Sequence, residues 1–178
     1  TALVIGTGDI GSHFARLCKN VGMTTIGIRR NLAVEAPGVD HIVGFDSLDD
    51  VLQYADVIAM SVPSTPATRH LLNAERIASL KPDSIIINAG RGNAIESQAL
   101  ADALAEGRIR GAALDVTEPE PLPANSPLWC EPKCLITPHV AGGNHLEITE
   151  RSIISIALGN VRCYANGQSL DNRMPIKS

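Results

Sequence analysis

Ala2-Leu3-Val4-Ile5-Gly6-Thr7-Gly8-Asp9-Ile10-Gly11 stands at the start of the chain, and its reading decides the fold. Ala2 to Gly6 is a short apolar run with the length of a strand. It passes at once into G-x-G-x-x-G. From residue 9 to residue 22 the spacing becomes helical, with Ile10, Phe14, Leu17, Cys18 and Val21 on one face and Gly22 as a good helix stop. A lone G-x-G-x-x-G carries little weight. At the end of a strand and the start of a helix, however, it marks a dinucleotide site. Gly6 allows the tight turn, Gly8 lets the backbone approach a pyrophosphate, and Gly11 lets helix and strand pack closely. The free N–H groups and dipole of the helix start favour the phosphates. The competing reading is a tight strand–helix turn that holds no ligand.

Outward from this start, short apolar strands alternate with helical stretches. Strands are expected at 24–28, 41–44, 57–61, 84–88, 111–115 and 135–137. Helices are expected after Ser47, from Asn73, over 96–106 and over about 145–165. Such alternation specifies an α/β fold: a Rossmann-type, doubly wound, mainly parallel sheet of about seven strands with helices on both faces. The domain is expected to run over 1–166, with a tail over 167–178.

Composition fits. The chain has 178 residues, enough for one domain with a proper core. It is 44% hydrophobic but only 3% aromatic, so the core must be aliphatic, as in a parallel sheet buried on both faces. A net charge of -4 argues against a nucleic-acid partner. No apolar run approaches the ~18 residues of a membrane helix, and no leader segment is visible, so neither a membrane nor an export route is expected and the location is read as cytoplasmic. Of four cysteines, Cys18 and Cys163 fall in helical patterns and read as small buried hydrophobes. Cys130 and Cys134, with His139 and His145 downstream, invite a metal reading. No second Cys pair closes a zinc site, so no metal is expected.

Three residues sit in settings suited to chemistry. Arg91 lies in Asn88-Ala89-Gly90-Arg91-Gly92, Glu120 in Asp115-Val116-Thr117-Glu118-Pro119-Glu120-Pro121, and His139 in Thr137-Pro138-His139-Val140-Ala141-Gly142-Gly143. Each follows an apolar run and so falls at a strand's carboxyl end, the edge where open α/β sheets bind ligands. The planar fork of Arg91 matches a carboxylate, with Gly90 and Gly92 letting the backbone turn sharply. His139 can give or take a proton near neutral pH. A carboxylate beside it would favour the charged imidazole and orient it. Taken singly, each has an ordinary alternative: a structural salt bridge, a capping histidine, a loop acid. At the end of the second strand, Gly27-Ile28-Arg29-Arg30-Asn31 carries two arginines where an NAD-binding domain usually has Asp or Glu. Guanidinium suits a ribose 2′-phosphate. NADP(H) is therefore expected as the preferred cofactor, with NAD(H) as the alternative, unless both arginines are merely solvated.

These pieces, together with Val62-Pro63-Ser64-Thr65-Pro66-Ala67-Thr68, occur in an order that resembles the cofactor-binding domain of the D-isomer-specific 2-hydroxyacid dehydrogenases. That family includes glyoxylate/hydroxypyruvate reductases and D-3-phosphoglycerate dehydrogenases. The resemblance implies hydride transfer between NAD(P)H and a 2-keto acid or D-2-hydroxy acid. It makes Arg91 the substrate clamp, His139 the acid/base and Glu120 its partner, with Glu118 as the rival for that last role. It assigns Gly6, Thr7, Gly8, Asp9, Ile10, Gly11, Arg29, Arg30, Val62, Pro63, Thr68, Ala89, Gly90, Arg91, Asp115, His139, Ala141 and Gly142 to the cofactor, with Asp115, Ala141 and Gly142 near the nicotinamide. It also implies a homodimer. Asp9 departs from the basic or small residue frequent in the family, and Thr117 from a common aromatic. Members are roughly twice this length, so the chain reads as a trimmed domain whose tail would return to an absent substrate domain. A non-enzymatic NAD(P)-sensing module, like the corepressors that share the fold, is the alternative.

Overall fold

β1 (Ala2–Ile5) is fully buried at all four positions. Since alternate strand residues face opposite sides of a sheet, both faces are covered there. In the computed structural model, which describes residues 1–142 and 146–173, β1 lies between β2 (Thr25–Ile28) and β4 (Val57–Met60). Beyond β2 is β3 (His41–Val43), and beyond β4 are β5 (Ile85–Asn88), β6 (Gly111–Leu114) and β7 (Cys134–Ile136). The order is β3-β2-β1-β4-β5-β6-β7 and every pairing is parallel. The core is aliphatic as the composition requires, with Leu3, Ile5, Ile28, Ile58, Ile86, Leu100 and Leu104 among its buried members.

α1 (Asp9–Asn20) packs on β1, β2 and β4. The apolar spacing marks the buried face only in part: Cys18 of the stripe is buried and Phe14 half-buried, but the rest point outward. Ile10, Leu17 and Val21 are 63%, 66% and 78% exposed, while Gly11, Ser12, Ala15 and Cys18 are buried. The reason is distance: this helix must lie close on the glycine loop, so its small side chains face inward and its large ones outward. α2 (Leu48–Leu52) follows a 3-10 turn at Phe45–Ser47, and the Ser47 side chain makes no capping bond. Asn73 does cap α3 (Ala74–Ala78), accepting from Arg76 N at 3.0 Å. α4 (Ser97–Ala105) ends before Gly107, whose φ of +67° suits glycine.

By internal contact the chain forms two units, Thr1–Ala141 and Gly142–Ser178. α5 (Glu147–Ala165) lies in the second unit and has no buried residue. Cys163, expected to be buried, is only half-buried, whereas Cys18 is buried. Cys130 is exposed, and burial pushes the Cys134 thiol up to about 11. His145, Gly143 and the tail from Met174 lie outside the described residues. Among the described residues, no three His, Cys, Asp or Glu side chains are grouped to hold a metal. No helix there is long and apolar enough to cross a membrane.

Candidate active site

The strand order reverses between β1 and β4, so their carboxyl ends open a crevice. The glycine loop sits there. Gly6 has φ +92°, and a Cβ on it would lie 2.8 Å from the Ser61 carbonyl oxygen. Ser61 Oγ donates to the Gly6 carbonyl at 2.7 Å, tying the end of β4 to the loop. A Cβ on Gly11 would lie 2.0 Å from the Gly6 oxygen, so α1 rests directly on the turn. Gly8 has nothing within 4 Å of its missing Cβ. Thr7 Oγ1 is buried without a hydrogen-bond partner among the described residues. No side chain caps the start of α1. An open backbone at Gly8, an unpartnered hydroxyl and uncapped helix N–H groups together fit the pyrophosphate of a dinucleotide.

At the end of β2 the two arginines divide. Arg29 donates from one Nη to the carbonyls of Val34 (2.6 Å) and Glu35 (3.0 Å), stapling the following loop. Arg30 is exposed. After β4, Val62 is buried and Thr68 organises its loop: its hydroxyl donates to the Pro63 carbonyl (2.6 Å) and accepts from Thr65 N (3.0 Å).

Arg91 follows β5 and is exposed, with one Nη donating to the Gly90 carbonyl at 2.7 Å. The turn is built by Asn88, which sequence reading passed over. Its buried side chain accepts from Gly90 N and donates to the Arg91 carbonyl, both at 3.0 Å. An Asn at a strand end before x-Gly is the available signal, since Asn readily makes such local turns. Gly90 and Gly92 are required for a different reason than sharp turning. A Cβ on Gly90 would meet Val62 N at 2.9 Å, and one on Gly92 would meet the Thr117 carbonyl oxygen at 1.9 Å. The turn is wedged between the loops that follow β4 and β6.

His139 follows β7 with φ +55°, a left-handed conformation uncommon outside glycine. Its Nδ1 lies 2.7 Å from Glu120 Oε1. Glu118, the rival, is engaged elsewhere: its carboxylate takes Arg69 Nη1 at 2.6 Å and His70 Nε2 at 2.9 Å. Asp115 turns out to organise the histidine loop. Its Oδ1 accepts from Thr137 Oγ1 (2.5 Å) and Val140 N (2.9 Å), its Oδ2 from Ala141 N (3.0 Å), and its carbonyl from His139 N (2.9 Å). Burial pushes the Asp115 carboxyl up. The Thr137, Val140 and Ala141 donors and the nearby His139 outweigh it and leave the group below the usual carboxylate range. Ala89, at the end of β5, is half-buried, and its N–H donates to Met60 O at 3.2 Å; Pro63, Asp9 and Ile10 are exposed at the same edge. Gly142 belongs to the second unit.

A family model described as D-isomer specific 2-hydroxyacid dehydrogenase, NAD binding domain, matches residues 1–141. D-3-phosphoglycerate dehydrogenase from Methanocaldococcus jannaschii is 37% identical over 173 residues, covering 95% of this chain and 32% of that protein. A D-isomer specific 2-hydroxyacid dehydrogenase family protein from Aeromonas salmonicida superposes with a TM-score of 0.86 at 39% identity, over 99% of this chain and 55% of that one. The D-isomer specific 2-hydroxyacid dehydrogenase from Xanthobacter autotrophicus, solved with NADPH and MES, superposes at 0.85 with 33% identity, over 98% and 70%. The chain spans about a third to three fifths of the first curated relatives it matches. It carries the parallel seven-stranded sheet, the glycine loop and the catalytic-edge motifs in one order, and it belongs to the D-isomer specific 2-hydroxyacid dehydrogenase family through its NAD-binding domain.

Proposed function

We propose that this chain is the cofactor-binding half of an NADP(H)-preferring oxidoreductase that interconverts a 2-keto acid and a D-2-hydroxy acid. The observation that carries the reading is the His139–Glu120 pair, 2.7 Å apart, on a loop hung from Asp115 at the carboxyl edge of the sheet. The glycine loop and Gly8 would hold the pyrophosphate. A bound reduced nicotinamide supplies hydride to the carbonyl carbon. Arg91 grips the substrate carboxylate and draws electron density from the adjacent carbonyl. The ring nitrogen of His139 that faces away from Glu120 gives its proton to the oxygen as negative charge develops there. Glu120 holds the imidazole in orientation. In the reverse direction the same nitrogen takes the hydroxyl proton.

The cofactor preference rests on Arg30. Arg29 spends its guanidinium on two backbone carbonyls, whereas Arg30 is exposed at the end of β2 and is the better placed of the two to grip a 2′-phosphate. Arg30→Ala is expected to weaken NADPH binding about tenfold or more, as the loss of a charged hydrogen bond implies. NADH affinity should barely change. Calorimetric titration of both variants with both cofactors decides it; equal losses for the two cofactors would refute the preference. His139→Ala is expected to lower 2-keto-acid-dependent NADPH oxidation by about 10²–10⁴-fold in the enzyme that carries this chain. Undiminished turnover would refute the assignment, and no turnover in the unsubstituted enzyme would favour a nucleotide-sensing module. A homodimer belongs to the same reading, supported by the exposed Leu17 and Val21 at the end of α1 away from the glycine loop. The four free cysteines support a reducing, cytoplasmic setting.

A further inference from the structure

A second histidine–carboxylate cluster stands beside the proposed acid/base pair, and nothing in the chemistry above uses it. Glu118, two residues before Glu120, receives Arg69 on one carboxylate oxygen (2.6 Å) and His70 on the other (2.9 Å). His70 has φ +46°, a left-handed backbone for a side chain with no need of it in sequence terms, and its N–H donates to the Asn93 carbonyl at 2.7 Å. The Glu118 carbonyl accepts from Ser97 Oγ at 2.8 Å, at the start of α4. The preceding residue, Thr117, lies with its carbonyl against Gly92, where a Cβ would come within 1.9 Å. Thr117 Oγ1 also donates to the Pro119 carbonyl at 3.0 Å. The four-residue stretch leading to Glu120 is thus fastened to the loop after β4, to the Arg91 turn and to α4.

These fastenings are not core packing. Side-chain exposures are 54% for Arg69, 37% for His70 and 27% for Glu118, so their ion pairs contribute little to global stability. What they do fix is direction. Glu120 is itself 41% exposed, and among the described residues the one side-chain bond that holds it runs to His139. Its orientation follows from the backbone of 117–120, which is held by the Glu118 carboxylate together with the Ser97 bond and the Thr117 contacts. We infer that Arg69, His70 and Glu118 form a positioning cluster that aims Glu120 at His139 and ties both to the Arg91 turn. Arg69 and His70 act through Glu118, and Glu118 acts through Glu120; none of the three touches the reacting atoms. The groups facing the cluster are Ser97, Asn93 and the backbone of Thr117.

This inference rests on Glu120 and His139 being the acid/base pair, but its test needs no turnover. The imidazole nitrogen shifts of His139 in the nitrogen-15-labelled 178-residue chain report whether Nδ1 is hydrogen-bonded to a carboxylate. Glu120→Ala supplies the reference for a lost bond. Glu118→Ala is expected to move the His139 Nδ1 shift to the Glu120→Ala position while cooperative unfolding and NADPH affinity are kept. Arg69→Ala combined with His70→Asn releases Glu118 from the other side and is expected to do the same. That pair of exposed substitutions decides the matter if Glu118→Ala does not fold. A wild-type Nδ1 shift in either folded variant would overturn the inference. Failure of the catalytic reading would show separately, as normal turnover by His139→Ala.

Discussion

At the residue scale the site depends on a few polar side chains that build loops. Asp115 is the clearest. It is 9% exposed, yet its carboxylate accepts three hydrogen bonds from the loop that carries His139. Those donors outweigh the effect of burial and hold its carboxyl below the usual range. A carboxyl with a lowered folded-state value stabilises the protein above the unfolded pKa, and that contribution is lost as pH falls through the folded value. Asp115→Asn keeps the shape but loses the charge and replaces one acceptor oxygen with a donor amide. We expect it to cost about 1.5–3 kcal/mol at neutral pH, the range for hydrogen bonds to charged groups. The gap should narrow as the pH falls below the unfolded carboxylate value of about 3.9. Urea unfolding of both proteins across acidic pH checks this, and a gap that stays constant with pH would be the contrary result. The strand-end turns that carry Arg91, Glu120 and His139 were legible in the sequence because each lies in a short motif after an apolar run, and the fold brings His139 and Glu120 into contact. The resemblance already favoured Glu120 over Glu118, and in the fold Glu120 is the one that reaches His139 while Glu118 holds Arg69 and His70. Asn88 and Asp115 were legible as residues but not as loop builders, because their partners lie on the backbone of segments that only folding brings near.

At the scale of elements, α1 shows where pattern reading fails and why. Its apolar stripe is real, but the sheet-facing side is made of Gly11, Ser12, Ala15 and Cys18. A helix that must touch a glycine turn cannot place Leu or Ile between itself and the sheet. Close approach overrides hydrophobic spacing here, and the only sequence trace of it is Gly11 in the G-x-G-x-x-G motif. Two substitutions on adjacent faces should therefore behave oppositely to what the stripe suggests. Ala15→Leu adds bulk at a fully buried site and should destabilise by about 1–3 kcal/mol. Leu17→Gln, on the 66% exposed side, should leave the stability of the monomer within about 0.5 kcal/mol. If the stripe forms the proposed dimer contact, the same Leu17→Gln should shift sedimentation towards the monomer. Urea titration at low protein concentration separates the folding effect from the association effect. A larger loss for Leu17→Gln than for Ala15→Leu would restore the sequence-based orientation. The strands were read more accurately than this helix, each within a residue or so at its ends, because buried parallel strands are continuous aliphatic runs with little competing demand on them.

At the scale of the whole molecule, the distribution of burial sets what can fold alone. Among the described residues, every buried core residue lies between Ala2 and Leu128, inside the first unit, Thr1–Ala141. α5 is 19 residues long with no buried residue, and Ile148, Ile153, Ile154, Ile156, Leu158, Val161 and Tyr164 are all exposed. Five of those seven are β-branched, which lowers intrinsic helix propensity. Most helical stability in proteins comes from packing an apolar face rather than from propensity. The helical pattern over 145–165 was legible in the sequence, whereas what covers its apolar side chains was not, because spacing tells which face is apolar and not what packs on it. We predict that a chain ending at Ala141 keeps the unfolding midpoint of the 178-residue chain within a few degrees. We also expect the amides of β1, β4 and β5 to exchange only through global unfolding, while those of α5 exchange through local opening at far lower free energy. Native-state hydrogen exchange of the intact chain reads both at once. Protection in α5 equal to that of β1 would mean that the helix is part of the same cooperative unit, and the chain ending at Ala141 would then melt well below the intact one.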